Sequence, residues 1–175
     1  FDTDDIWLPE KLQTQVRHFL DQNIGISISN SMFFSKDKEK LAYKSPQSDG
    51  YVYYRIIQNY NISLDTVLLR KNEVDKLDHA FSDSFDYICD MDLIIRLSKI
   101  CNLKYTHKAL SKWRYHANSL TYLDSYKFIE EKKRLIKKLD KLNIPTDYNY
   151  QKSRKKFIKK LYISEAVYFI LNKNY

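Results

Sequence analysis

Asp2 and Asp4 are separated by one residue in the run Phe1-Asp2-Thr3-Asp4-Asp5. In an extended segment side chains alternate, so these two carboxylates project to one side while Thr3 and Asp5 project to the other. Two carboxylates on one side can face a single cation, and hard oxygen ligands suit Mg²⁺ or Mn²⁺. A plainer role is open to the same residues: Asp is a preferred N-cap, and Asp4 or Asp5 could cap a helix beginning near Leu8. There is no GxGxxG and no GxxxxGK[ST], so a nucleotide would have to be held by metal and side chains. Cys89 and Cys101 lack the CxxC or Cys/His spacing of a zinc site and are read as reduced and buried.

The elements around these residues alternate in type. Leu8, Leu12, Val16, Phe19 and Leu20 fall at helical spacing, with Pro9 near the first turn, which places the acids on a loop between a strand and a helix. Ile24, Ile26 and Ile28 alternate with Gly25, Ser27 and Ser29, the pattern of a half-buried strand that Met32-Phe33-Phe34 continues. After a polar loop from Ser35 to Gly50, a helix is expected over residues 51–59, a short strand over 66–70 and a turn at Ala80–Asp83. Residues 89–100 read as a helix with Ile94, Leu97 and Ile100 inward, and 103–106 and 109–115 as two closing strands, giving a mixed α/β order.

The charge of +8 is unevenly spread. Residues 1–121 hold 16 Lys/Arg and 16 Asp/Glu, whereas 122–175 hold 14 Lys/Arg and 6 Asp/Glu. The excess lies in the tail, so a boundary is placed at 121/122, with a second break at Asn143–Asp147 between two helices. Phe128, Leu135, Ile136, Leu139 and Leu142 mark the first as a basic amphipathic helix. Phe157, Ile158, Leu161, Ile163, Val167 and Ile170 mark the second. Such helices either dock on an anionic membrane or a lipid-linked acceptor, or pack on the rest of the chain with their lysines solvated. No apolar stretch approaches the roughly 20 residues of a membrane span, and no basic n-region with an apolar h-region opens the chain. A cytoplasmic chain is expected, reaching the inner face of the cell membrane where the tail docks. Nucleic acid is not an expected partner, because no recognised module accompanies the charge.

Several blocks, in order, resemble one family. Phe1-Asp2-Thr3-Asp4-Asp5-Ile6-Trp7-Leu8-Pro9-Glu10-Lys11-Leu12 resembles the DxD segment of family 2 glycosyltransferases with the GT-A fold, whose usual form is L-D-x-D-D-x-W-x-P-x-K-L. Asn61-Ile62, Val67-Leu68-Leu69-Arg70, Phe81-Ser82-Asp83-Ser84-Phe85, Cys89-Asp90-Met91-Asp92-Leu93 and Arg96-Leu97 resemble the run toward the family's E-D-x-D-L-x-x-R-L helix. Leu110-Ser111-Lys112-Trp113-Arg114-Tyr115-His116-Ala117-Asn118-Ser119-Leu120 resembles the segment ending Y-R-x-H-x-x-S-x. The match covers about residues 1–121 and implies a partial GT-A-like α/β domain, the acceptor-side half, followed by the basic helical extension 122–175.

The resemblance implies an inverting glycosyltransferase that moves a sugar from a nucleotide-sugar donor, a UDP-sugar above all, to a glycan or lipid-linked acceptor in surface-polysaccharide assembly. Asp4 is then the direct ligand of Mn²⁺ or Mg²⁺, Asp2 its companion at the ribose or the metal waters, and His116 a third contact to metal or diphosphate. Asp90 matches the general base that takes the acceptor hydroxyl's proton. Asp92, Arg114 and Trp7 are expected at the substrate, with Arg114 on phosphate and Trp7 on a sugar face. The alternatives are that Asp90 or Asp92 caps its helix, that Arg114 pairs with Asp92 or a neighbouring strand, and that Trp7 packs. Cys89 stands where the family commonly has Glu, which removes an acceptor-binding carboxylate. Family members place a nucleotide-binding βαβ half of roughly 80 to 100 residues before the DxD, a domain-sized length, and this sequence opens at that motif. An exposed sheet edge prone to self-association is therefore expected. The reading from another class is a non-catalytic scaffold or a docking module for an anionic surface.

Overall fold

A computed structural model describes residues 4–36, 38–115 and 125–172. Two long parallel strands form its centre, β2 (Ile24–Phe34) and β5 (Asn102–Arg114), in register from Ile24 opposite Asn102 to Phe34 opposite Arg114. β1 (Ile6–Trp7) lies antiparallel on the outer edge of β5. The other edge of β2 carries two short antiparallel strands, β4 (Leu68–Leu69) opposite Ile26–Ser27 and β3 (Glu39–Leu41) opposite Met32–Phe34. The mixed α/β class expected from the sequence is the class observed. The two expected closing strands are one, because the ladder with β2 carries on past Thr106 through a register shift between Ser29 and Asn30.

β2 is buried on both faces from Ile24 to Ser31, where alternation predicted a half-buried strand. Ile26 and Ile28 enter the core, alongside α2 (Tyr53–Gln58) and α4 (Cys89–Ser98), with the one-turn α3 (Lys71–Val74) between them in the chain. Ser27 faces α1 (Lys11–Val16) and the 3₁₀ turn Arg17–Leu20 that continues it. The sequence misassigned the inward face of α1. Leu12, Val16 and Leu20 are exposed, Leu20 by 81%, while Lys11 and Gln15 are fully buried. The surface that α1 meets explains the inversion. The Lys11 ammonium donates to the Thr66 carbonyl oxygen at 2.8 Å, and the Gln15 amide donates to that oxygen at 2.9 Å and to Ser27 Oγ at 3.1 Å. Polar acceptors on β2 and on the 3₁₀ turn Leu64–Thr66 demand donors from the helix. The helix starts at Lys11, with Glu10 at its N-cap, so neither Asp4 nor Asp5 caps it.

Gly25 is required by close approach rather than by a turn. A Cβ there would lie 2.2 Å from Cys101 Sγ, so β2 and the start of β5 meet only with a hydrogen at that position. Cys101 is buried and Cys89 half-buried, both as free thiols.

The tail forms α5 (Ser125–Leu142) and α6 (Tyr148–Leu171), joined across the expected break. Ile129, Leu135, Ile136, Leu139, Tyr150, Phe157 and Leu161 belong to the same buried cluster as Ile57, Ile94 and Leu97. The hinge is tied down as well, by hydrogen bonds from Tyr53 Oη to Asn143 Oδ1 at 2.9 Å and from Tyr54 Oη to Asp147 Oδ2 at 2.7 Å. Asp147 also caps α6 by accepting from the Tyr150 amide. Several apolar positions read as inward are not: Ile100 and Leu142 are about half exposed, and Ile163, Val167 and Ile170 face solvent. α6 enters the buried cluster through Tyr150, Phe157 and Leu161, with Ile158 and Tyr168 packed against it. Among the described residues no helix is long and apolar enough to cross a membrane.

Candidate functional site

The residues singled out from the sequence fall in two places. Asp4 sits in a turn just before β1, half-exposed, while Asp5 turns inward and is buried. Arg114 ends β5 and closes on this turn. Its backbone amide donates to Asp5 Oδ1 at 3.2 Å, its Nε donates to the Asp4 carbonyl oxygen at 3.1 Å, and its guanidinium lies 4.5 Å from the Phe34 ring centroid. Arg114 therefore pairs with the acidic segment and not with Asp92. The arrangement stands at the carboxyl ends of the parallel strands, where open α/β sheets bind ligands. Asp2 and His116 lie outside the described residues. Among the described residues no group of three or more His, Cys, Asp or Glu side chains is gathered for a metal ion.

Trp7 packs beside the same turn. Its Nε1 donates to the Asp65 carbonyl oxygen at 3.0 Å, and Lys11 Nζ lies 5.0 Å from its ring centroid, leaving the ring about one third exposed. Beneath it runs a polar seam that the sequence did not announce. Asp65, 1% exposed, accepts from Ser31 Oγ at 2.6 Å and from Ser63 Oγ. His18 bridges Ser27 Oγ and Thr106 Oγ1 at 2.8 and 3.1 Å. Burial pushes the Lys11 ammonium down to about 8, with the Asp65 charge opposing the shift.

Asp90 occupies the first turn of α4. Ile88 holds the N-cap position and makes no side-chain cap bond, so neither Asp90 nor Asp92 is the capping residue. Burial raises the Asp90 carboxyl above its ordinary range. Opposing it are a hydrogen bond from Tyr60 Oη to Oδ2 at 2.9 Å, backbone N–H groups of the first turn, and the Lys132 ammonium. Tyr60 is itself pushed well above the usual phenol range, first by burial and then by the Asp90 charge. Lys132, half-buried on α5, is lowered by burial. A carboxylate, a phenol and an ammonium from three elements thus share one environment with weakened solvation.

Asp92, one position beyond a single residue's spacing from Asp90, has a different fate. It is 1% exposed, and its two oxygens are taken by Arg96 Nε at 2.8 Å and Lys138 Nζ at 2.7 Å. Arg96 extends the contact to the carbonyl oxygens of His79 and Ala80 at 2.7 and 2.6 Å. This carboxylate ties α4 to α5 and to the preceding turn, and it offers no surface to a substrate.

The support of Asp90 comes largely from the tail. Glu131, 3% exposed, accepts from the amides of Asp86 at 2.9 Å, Tyr87 at 2.9 Å and Ile88 at 3.0 Å, the stretch that leads into α4. Tyr60, Glu131 and Lys132 were not singled out as site residues in the sequence. One signal was present for two of them. Glu131 and Lys132 lie three and four residues after Phe128 and before Leu135, on the apolar stripe of α5, where a charge requires a buried partner. Tyr60 and Lys132 line a pocket of about 190 Å³ with Met91, Phe157 and Leu161 at its floor. Comparison of the chain with protein-family models gives no match, and comparison with curated proteins gives none either.

Proposed function

We propose that this chain is the acceptor-side, GT-A-like part of an inverting glycosyltransferase, which moves a sugar from a nucleotide-sugar donor to a hydroxyl of a glycan or lipid-linked acceptor. The observation that carries the reading is Asp90. A general base needs a raised proton affinity, a fixed orientation and a neighbouring cavity for its substrate. Burial supplies the first, Tyr60 Oη the second, and the pocket at Tyr60 and Lys132 the third. In the proposed reaction Asp90 takes the acceptor hydroxyl proton while that oxygen bonds to the anomeric carbon. The bond to the diphosphate breaks on the opposite face and the leaving group keeps the electron pair, so the anomeric centre inverts.

Asp4, with Asp2 and His116, is the proposed ligand set for Mn²⁺ or Mg²⁺. Two carboxylates and an imidazole are donors that these ions accept, and Asp4 fits because Arg114 fixes its turn through the backbone and Asp5 takes the inward position. When bound, the ion would offset charge on the departing diphosphate. Arg114 itself holds the turn in place and keeps a guanidinium at the strand ends.

One observation favours the other reading, a scaffold or docking module. Cys89 is a half-buried thiol whose proton is held more tightly by burial, so it cannot replace the charge of an acceptor-binding Glu. Calorimetric titration of UDP separates the two. Binding that requires Mn²⁺ and is lost in Asp4→Ala is the expected result. No binding with or without metal would sink the diphosphate assignment and leave the docking module.

A further inference from the structure

The pocket lined by Tyr60 and Lys132, next to Asp90 and not lined by it, does not stand alone. On one side it adjoins a basic cleft, with which it shares Gln58, Asn59 and Lys160, and to which Lys156 and Lys159 contribute. On the other it adjoins an apolar groove of about 330 Å³ between α5 and α6, with which it shares Ile129, Lys132 and Ser164. The groove is walled by Phe128, Val167, Tyr168 and Leu171.

The charges along this path are unbalanced. Lys156 donates to Gln58 Oε1 at 3.1 Å and Lys160 to Asn59 Oδ1, so both meet neutral amides. None of Lys132, Lys156, Lys159 and Lys160 forms an ion pair among the described residues, although two other lysines of α5, Lys133 and Lys138, do. Lys132 is the innermost, half-buried between the groove and Asp90 and destabilised as an ammonium by burial. Asp90 offsets Lys132 in part, and Lys156, Lys159 and Lys160 add three further cations, so the cleft keeps an excess of positive charge that suits an anion. An apolar wall beside it selects for an anion that carries hydrocarbon.

We propose that the α5–α6 cleft binds an amphiphilic acceptor, a sugar joined through phosphate or diphosphate to a long-chain alcohol. Its anionic head lies at Lys132 and Lys160, its first isoprenoid or alkyl units lie in the groove by Phe128 and Val167, and its hydroxyl-bearing end is directed to Asp90. This deepens the transferase reading and rests on it for the role of Asp90. The order along the path is hydrocarbon, cation, base, which is the order of parts in a lipid-linked sugar. A soluble acidic glycan would use the lysines and leave the groove empty.

The test uses the full chain in EDTA and three probes: farnesyl diphosphate, inorganic diphosphate and farnesol. Farnesyl diphosphate is expected to bind about tenfold or more tighter than either of the others, equivalent to about 1.4 kcal/mol. Lys132→Met and Lys160→Ala should each weaken it by about tenfold. Lys160 is exposed, so its variant carries little risk to folding. Lys71→Ala, an exposed lysine outside the cleft, should leave the affinity unchanged. Equal affinity for inorganic and farnesyl diphosphate would overturn the proposal, as would insensitivity to both lysines. Binding only to anionic phospholipid vesicles, with none to the soluble ester, would overturn it in favour of a membrane surface. Because the measurement needs no metal, its failure is separate from a failure of UDP to bind.

Discussion

Replacing Glu131 by Gln tests whether the tail helix α5 builds the site or merely covers it. The substitution preserves shape and removes the charge. Glu131 Oε2 accepts from Tyr87 and Ile88, and Oε1 from Asp86 and from Arg134 Nη2 at 3.0 Å. A carboxamide can present its oxygen to one of these two pairs of donors only, and its NH₂ must then face the N–H donors of the other pair. At least one amide loses its acceptor, at a cost of about 1–3 kcal/mol, and the surviving bonds lose their charge assistance, each such bond being worth about 1.5–3 kcal/mol before and about 1 kcal/mol after. Allowing for non-additivity, a destabilisation of about 2–4 kcal/mol is expected. Urea unfolding at neutral pH reads it as a lower midpoint at unchanged slope. Glu130→Gln is the control, since Glu130 is exposed one residue away and should change stability by no more than about 0.5 kcal/mol. If Glu131→Gln and Glu130→Gln were indistinguishable, the claim that α5 holds the entry to α4 would be wrong.

Two further outcomes follow from the buried ionisable groups. The Lys11 ammonium is lowered from 10.5 to about 8, so between these values the unfolded chain binds more protons than the folded one. This group therefore makes stability rise with pH across that window, and Lys11→Met should flatten the rise in a series of urea midpoints. Asp90 is raised, so the folded chain binds the extra proton and this group's contribution falls as pH rises through the raised value. Tyr60→Phe removes a hydrogen bond to the charged form, so the Asp90 titration followed by carboxyl carbon NMR should move further up. A downward or null shift would mean that Tyr60 does not hold Asp90.

The parts of the fold that were legible are those set by local pattern. α4 showed itself because Ile94, Leu97 and Ile100 repeat at helical spacing, although Ile100 falls past its end and is half-exposed, and β2 because Ile24, Ile26 and Ile28 alternate. α1 was legible as a helix and not in its orientation. Its apolar spacing pointed to Leu12 and Val16, and only the carbonyl of Thr66, some fifty residues away in sequence, explains why Lys11 and Gln15 turn inward instead. Asp90 and Asp92 illustrate the same limit. They are two residues apart on one helix, yet Arg96 and Lys138 take Asp92 while Tyr60 and Lys132 surround Asp90. Partners at a separation of 30 to 46 residues leave no periodic trace. The tail was read apart from the rest because charge changes at 121/122, and charge records the solvent-facing side alone. The buried side of α5 and α6 joins the common core.

The two faces of β2 also act on folding order. A slip of one residue against β5 would turn the isoleucines toward Lys11 and Gln15 and the serines toward the core cluster, so both faces would lose at once. Most strands are kept in place by one apolar face and can trade a slip for partial solvation on the other. β2 has no such escape, and it also carries Gly25, which fits against Cys101 in one alignment only. β2 therefore works as a template that rejects misaligned partners. Pairing with the distant β5 closes a loop of some seventy residues, a slow step by topology. A template that tolerates one alignment shortens the list of traps during that search, and it makes early docking of α1 on the serine face a check on the pairing that follows.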